Sequence, residues 1–218
     1  MIKPKKKGSL IVLSGVTAVG KDTIFKELLL INKNLVPSIS CTTRKIRPGE
    51  VDGVDYYFIT KKQFEEKIQN NEMLEYATVH QHDYYGTPKA AIEKNLDKGK
   101  DVVLVIDIQG AMQIKEKFND ALFIFIMPPS MVEIRKRLIK RGTTDEEEIY
   151  RRFKSAYKEL NYVTKYNYAV INDELDDAVQ KVNSIIISEK CRIDRIEQFD
   201  LGTEEEFLHE CLIDENCL

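Results

Sequence analysis

Short apolar runs alternate with helical patterns along most of the chain. Leu10–Leu13, Val102–Ile106, Leu122–Ile126 and Tyr168–Ile171 are continuous β-prone stretches without polar alternation, as expected of parallel strands covered on both faces. After the first of them, Ile24, Leu28 and Ile31 recur on one helical face and predict a helix over 24–31. Ser130-Met-Val-Glu133 and Thr144-Asp-Glu-Glu147 read as capping boxes, and Thr87-Pro88 as an N-cap followed by a first-turn proline. A last helix is predicted from Glu174 to about Arg195. Strands alternating with helices predict an α/β fold, a parallel sheet flanked by helices. The character changes over residues 40–90. There, shorter and more polar strands rich in tyrosine (Val54–Ile59, Met73–Val79) surround one helix (Thr60–Asn70), predicting an inserted, partly antiparallel subdomain.

Composition narrows the class. With 218 residues, 43% hydrophobic and 32% charged, the chain can bury a sizeable core, which excludes wholesale disorder, collagen-like and disulfide-scaffold readings. No apolar run approaches the roughly 18–20 residues of a membrane span. The basic start, Met1 to Lys7, is followed by an apolar stretch (Leu10–Ser14) too short for a signal peptide. Cys41, Cys191, Cys211 and Cys217 show neither a CxxC pair nor metal-ligand spacing, so reduced thiols and a cytoplasmic location are expected. The net charge of −3 conceals a split: residues 197–218 carry eight acids and no Lys or Arg, leaving 33 basic against 28 acidic residues elsewhere, a formal +5. A mildly cationic body suggests an anionic ligand, although surface lysines alone would produce the same sum. The tail after residue 196 is expected to fray.

The most informative stretch is Gly15-Val16-Thr17-Ala18-Val19-Gly20-Lys21-Asp22-Thr23, a G-x-x-x-x-G-K run directly between a strand and an amphipathic helix. That context reads as a phosphate-binding loop. Its glycines let backbone N–H groups turn inward, the helix N-terminus adds its positive dipole end, and Lys21 supplies a mobile charge. Asp22 breaks the pattern, because Ser or Thr there normally offers a hydroxyl to Mg²⁺. The alternative is an ordinary glycine turn.

A second constellation follows. Ser40-Cys-Thr-Thr-Arg44-Lys-Ile-Arg47-Pro-Gly-Glu50-Val-Asp-Gly-Val-Asp-Tyr56-Tyr-Phe58 is succeeded by Glu72-Met-Leu-Glu75-Tyr-Ala77, Tyr84-Tyr85-Gly-Thr87, Ile106-Asp107-Ile-Gln-Gly110, Pro128-Pro-Ser130, Lys140-Arg141-Gly-Thr143 and Val170-Ile-Asn172-Asp173. In order and spacing over about residues 8–190, these resemble the guanylate kinase family, nucleoside monophosphate kinases of the P-loop NTPase fold. The resemblance implies one guanylate-kinase-like domain over 1–218. Its core would be 8–39, 91–129 and 156–196, its GMP-binding subdomain 40–90, its helical lid 130–155 and its acidic tail 197–218. It implies that Arg44, Arg47, Tyr56 and Tyr85 hold the GMP phosphate, that Ser40, Glu75, Thr87 and Asp107 read guanine, and that Glu50 belongs to the same GMP-binding set. Lys21, Arg44, Arg137, Arg141 and Arg152 would be catalytic. Arg137, Asn172 and the loop 15–23 would bind ATP, with Asn172 meeting adenine.

The chemistry agrees with that reading. ATP brings about four negative charges and GMP about two, and Lys21, Arg44, Arg47, Arg137, Arg141 and Arg152 with Mg²⁺ can neutralise them. A phosphomonoester with a second pKa near 6 already offers an anionic oxygen at pH 7, so no catalytic histidine is required. His80 and His82 near Asp83 resemble a metal cluster only superficially, and Cys41 reads as a packing residue. Glu75 could accept from guanine N1–H and the 2-amino group. Adenine lacks both donors, a mismatch worth roughly 10⁴-fold. The reaction implied is ATP-dependent phosphorylation of GMP, and of dGMP, in purine metabolism. The partners are GMP and ATP, with no nucleic acid, membrane or obligate protein partner, in a monomer or homodimer. The competing readings are a kinase-dead interaction module of the same fold and a phosphoribosyl kinase whose loop also carries Gly-Lys-Asp. Val105 stands where many guanylate kinases carry an Asp, so Asp22 is the candidate Mg²⁺ ligand in compensation; the alternatives are that Asp22 points to solvent and phosphates and water hold Mg²⁺, or that Thr23 serves as a displaced hydroxyl.

Overall fold

The computed structural model describes residues 2–4, 7–79, 83–118, 120–140 and 146–199. In chain order its elements are β1 (Ile2–Pro4), β2 (Leu10–Gly15), α1 (Lys21–Ile31), β3 (Leu35–Pro37), β4 (Cys41–Thr42), β5 (Tyr57–Phe58), α2 (Lys61–Gln69), β6 (Met73–Val79), β7 (Asp83–Pro88) and α3 (Lys89–Asp97). There follow β8 (Asp101–Val105), α4 (Ile108–Lys117), β9 (Leu122–Met127), α5 (Met131–Lys140), α6 (Glu146–Glu159), β10 (Tyr168–Ile171), α7 (Leu175–Glu189) and β11 (Ile196–Phe199). Turns of 3-10 helix cover Leu160–Lys165 and Ile193–Arg195.

The four apolar runs and the short β3 form one parallel sheet in the order β10-β9-β2-β8-β3. One face is covered by α1 and α7, where Ile24, Leu28, Ala178, Val182 and Ile186 pack on Leu13, Phe125 and Ile126. The other is covered by α3 and α4 through Ile92, Leu96, Ala111 and Ile114. Side chains of that size contribute about 1.5–3 kcal/mol each when fully buried, which is why the central strands tolerate no polar alternation. β10 departs from the expectation of a strand covered on both faces. It is the sheet edge beside β9, and only Val170 is buried while Tyr168 and Ile171 stay exposed.

Residues 41–88 build a separate four-stranded sheet, β5-β4-β7-β6, in which β4 pairs β5 in parallel and β7 antiparallel, and β6 pairs β7 antiparallel. The partly antiparallel character is as expected, but the strand predicted over 54–59 shrinks to Tyr57–Phe58. Asp55 accepts from the Val51 N–H and Asp52 from the Phe58 N–H, so aspartate turn chemistry shapes residues 51–56 into a loop. The helix α2 has the full capping box of Thr60 and Gln63. At α5 only half the box forms: Ser130 accepts from Glu133 N–H, while the Glu133 carboxylate binds Arg137. The box at Thr144 lies outside the described residues.

The last long helix ends at Glu189 rather than near Arg195. A 3-10 turn then drops Arg195 into the interior, where it donates to Ser9 Oγ at 2.9 Å and to the Asp120 carbonyl at 3.0 Å. Continuing α7 would carry Arg195 away from those partners. The first residues of the acidic tail, through Phe199, pair with Ile2–Pro4 in a two-stranded sheet rather than fraying. Residues 200–218 lie outside the described residues.

Candidate active site

In an open parallel sheet the ligand crevice lies beyond the carboxyl ends of the strands. Here β2 ends in Gly15, β8 in Val105 just before Asp107, and β9 in Met127, so the phosphate loop and Asp107 meet at one edge of the sheet. Gly20 caps α1 in the left-handed region at φ 97°, and a Cβ there would lie 2.7 Å from Asn172 Nδ2. Ala18, at φ 63°, is also left-handed. Val16 and Val19 are fully buried, so they anchor the loop from below and leave its backbone to face a ligand. Lys21 donates Nζ to the Gly15 carbonyl at 2.9 Å.

The loop is gripped by distant residues. Arg137 donates to the Val19 carbonyl at 2.9 Å and to the Asn172 carbonyl at 3.2 Å. Asn172, expected to meet adenine, is buried and donates Nδ2 to the same Val19 carbonyl at 2.7 Å. Its amide is a strut beneath the loop, where the Val19 carbonyl takes a buried donor.

Across the crevice stand the residues of the second sheet. Arg44 forms a fork-to-fork pair with Glu50 at 2.5 and 2.7 Å, takes Tyr85 Oη as acceptor at 3.1 Å, and lies over the Tyr56 and Phe58 rings. The paired guanidinium holds the Glu50 carboxyl down at about 2, helped by the Arg47 N–H, and Glu50 in turn raises Arg44. Tyr56 packs edge-on against Tyr85, and burial first, then the Asp22 charge, pushes its hydroxyl up. Arg47 projects from its loop into solvent.

Glu75 is the buried acid of the site, only 4% exposed. Gln113 of α4 exchanges hydrogen bonds with both backbone groups of Tyr76, and Lys117 binds the Leu74 carbonyl at 3.0 Å. The core helix thereby clamps β6 on either side of Glu75. The carboxylate lies so close to Gly110 that a Cβ there would stand 2.6 Å from Oε2, so any larger residue would displace the carboxylate. Thr87 donates to Glu75 Oε1 at 2.6 Å and lies 3.4 Å from Ser40 Oγ. The N-cap expected of Thr87 is absent: β7 runs through Pro88, which itself caps α3. Burial pushes the Glu75 carboxyl up to about 7, against the Thr87 hydrogen bond and with the aid of Asp107. Asp107 caps α4 by accepting from Gly110 N–H at 2.8 Å. Ser40, Glu75, Thr87 and Asp107 are thus brought together by direct contacts and through Gly110.

A cleft of about 870 Å³ runs between Thr17, Thr78, Asp107 and the α6 face carrying Arg152, Ser155 and Glu159. Glu148 holds Arg152 Nε at 2.6 Å. Arg141, His80 and His82 lie outside the described residues. Glu159, which sequence reasoning missed, accepts from Thr17 N–H at 2.7 Å and Thr17 Oγ1 at 3.2 Å. Its seven-residue offset from Arg152, two helical turns on one face, was the available signal.

For Mg²⁺, the described residues contain no group of three or more His, Cys, Asp or Glu side chains able to hold an ion. Asp22 and Thr23 are exposed on the first turn of α1, and Val105 offers no donor. One carboxylate with phosphate and water oxygens is an ordinary Mg²⁺ set, and Asp22 fits it. Among the described residues no helix is long and apolar enough to cross a membrane.

The family model described as Guanylate kinase covers residues 7–189. The chain is 56% identical over 209 residues to the guanylate kinase of Clostridium tetani, covering 96% of this chain and all of that one. It is 57% identical over 202 residues to that of Caldanaerobacter subterraneus subsp. tengcongensis, covering 93% and 98%. The crystal structure of guanylate kinase from Anaplasma phagocytophilum superposes with a TM-score of 0.75 at 32% identity, covering 99% of both chains. By the family model and by these relatives, which cover nearly the whole chain, this chain is an enzyme and belongs to the guanylate kinase family.

Proposed function

We propose that the chain transfers the γ-phosphoryl group of ATP to GMP, giving ADP and GDP, as a cytoplasmic enzyme of purine nucleotide metabolism. The observation that carries the reading is Glu75. A buried carboxylate, held by Thr87 opposite the phosphate loop, suits a base that presents two adjacent donors, N1–H and the 2-amino group of guanine. The named side chains meet base and phosphate rather than the ribose 2′-hydroxyl, so dGMP is an acceptor too.

The GMP phosphate meets the guanidinium charge of Arg44 at the N–H that its pairing with Glu50 leaves over, with Tyr56 and Tyr85 closing that wall, and Arg47 comes from solvent to meet it. Arg44 is already aimed by Glu50 and the aromatic rings, so little ordering remains when the phosphate arrives. A phosphate oxygen of GMP bonds to the γ-phosphorus as the bond from that phosphorus to the β,γ-bridging oxygen breaks. The electron pair leaves on ADP. No general base is needed, since that oxygen is anionic at pH 7. Lys21 and the loop N–H groups hold the β- and γ-phosphates, while Arg137, Arg141 and Arg152 stabilise charge on the transferring group. Bound Mg²⁺ supplies further charge neutralisation, and Asp22 is its protein ligand. Residues 130–155 act as a lid that excludes water.

The deciding experiment is a coupled ADP-release assay with ATP and GMP, dGMP, AMP, CMP, UMP or ribose bisphosphate. Turnover confined to GMP and dGMP is expected. No turnover with GMP would overturn the reading.

A further inference from the structure

We propose that Glu159 is a positioning residue for phosphoryl transfer, tying the base of helix α6 to the phosphate loop and so setting where Arg152 stands over the cleft. Glu159 is the last residue of α6, next to the 3-10 turn that returns the chain to the core. Both carboxylate oxygens are engaged: Oε2 accepts from Thr17 N–H at 2.7 Å, and Oε1 from Thr17 Oγ1 at 3.2 Å and Ser155 Oγ at 2.9 Å. Arg152 lies seven residues earlier, about 10 Å along the same helical face. Arg152, Ser155 and Glu159 all line the cleft with Thr17.

A carboxylate at the mouth of a phosphate site repels phosphate, so attraction of ATP cannot be its purpose. Its partners are two donors on one loop residue, and it has the form of a strut. Arg137 and Asn172 grip the loop at Val19. Glu159 is the matching grip at Thr17, made from the helix that carries Arg152. With that tie, loop and arginine move as one body, and a displacement of about 1 Å between such groups costs roughly 100-fold in rate.

The inference rests on the ATP:GMP reading, and the test separates the two. Wild type, Glu159→Ala and Glu159→Gln are compared in steady-state kinetics with each substrate varied, in ADP calorimetry and in thermal unfolding. Glu159→Ala is expected to lower kcat about 10- to 100-fold and weaken ADP binding, with the KM for GMP within about twofold. Glu159→Gln, which keeps a carbonyl acceptor for Thr17 N–H, should recover most of the loss. Unchanged kcat in Glu159→Ala overturns the proposal, as does tighter ADP binding, which would make the carboxylate a competitor of phosphate. Unfolding of both variants below the assay temperature overturns it too, by making Glu159 a folding element. A wild-type chain inactive on GMP would instead defeat the substrate reading, and weaker ADP binding by Glu159→Ala would still support the tie.

Discussion

Thr87 and Glu75 stand directly opposite each other on β7 and β6, and the threonine hydroxyl donates to the carboxylate at 2.6 Å. A cross-strand pair that would ordinarily add modestly to sheet stability here keeps a buried carboxyl partly ionised. Burial raises Glu75 to about 7, and the Thr87 hydrogen bond opposes that rise.

Binding of guanine at Glu75 should therefore depend on pH. Below about 7 the carboxyl carries a proton where guanine presents N1–H, so binding must release it. The KM for GMP should rise as pH falls below that value, approaching tenfold per pH unit, while the KM for ATP does not follow it. Stability runs the other way. A carboxyl raised in the fold stabilises it fully below its ordinary value of 4.5, and that contribution is lost as pH rises through about 7. Glu75→Gln should raise the unfolding midpoint of the ligand-free protein more at pH 8 than at pH 5, and raise the KM for GMP roughly 100-fold or more. A KM for GMP that is flat between pH 6 and 8 would contradict this.

Thr87→Val keeps the shape and removes the donor. The ionised carboxylate loses a hydrogen bond of the kind worth about 1.5–3 kcal/mol. The pH profile of the KM for GMP should move to higher pH, with the KM at pH 7 rising about tenfold or more. An unmoved profile would show that the hydroxyl does not act on Glu75.

Gly20→Ala places a methyl 2.7 Å from Asn172 Nδ2 at φ 97°. The left-handed conformation alone costs about 1–2 kcal/mol with a Cβ. The variant should unfold at lower temperature and show a raised KM for ATP with that for GMP unchanged. Wild-type stability would contradict the close packing of Asn172 beneath the loop.

Asp22 as the Mg²⁺ ligand predicts coupling with position 105. In Mg²⁺ titrations Asp22→Ser should need more metal for half-maximal activity, and Val105→Asp should restore the difference in the double variant. Additive effects would sink the compensation.

Arg195→Ala tests the anchor at the opposite end of the sheet. Arg195 is 8% exposed and reaches Ser9 Oγ, the Asp120 carbonyl and, at 3.6 Å, Glu189. Its loss should cost about 3 kcal/mol in denaturant unfolding with kcat unchanged. A loss of activity without a loss of stability would place Arg195 in the catalytic apparatus instead.

The parallel sheet was legible because β2, β8 and β9 are buried on both faces, and burial leaves a direct mark in an unbroken apolar run. The phosphate loop was legible for a similar local reason: turn, glycines and lysine are contiguous. The burial of Glu75 was not legible locally and was suggested only through resemblance, since a glutamate in a polar strand has no local sign that it points inward. Tyr168–Ile171 looked like the other runs, and only its place at the sheet edge left three of its four side chains in water.

The remaining differences share one cause. Where α7 stops depends on Arg195 finding Ser9, 186 residues away in the chain. Whether Thr87 caps a helix or binds Glu75 depends on β6 lying beside β7. The strut of Asn172 under Val19 spans 153 residues, and that of Glu159 on Thr17 spans 142. Alone, the sequence determined the periodicities, the turn and loop chemistry and the charges available, all of which act over a few neighbouring residues. Tertiary structure decided which buried donor meets which acceptor, because that choice is made by unpaired polar groups brought together from distant parts of the chain.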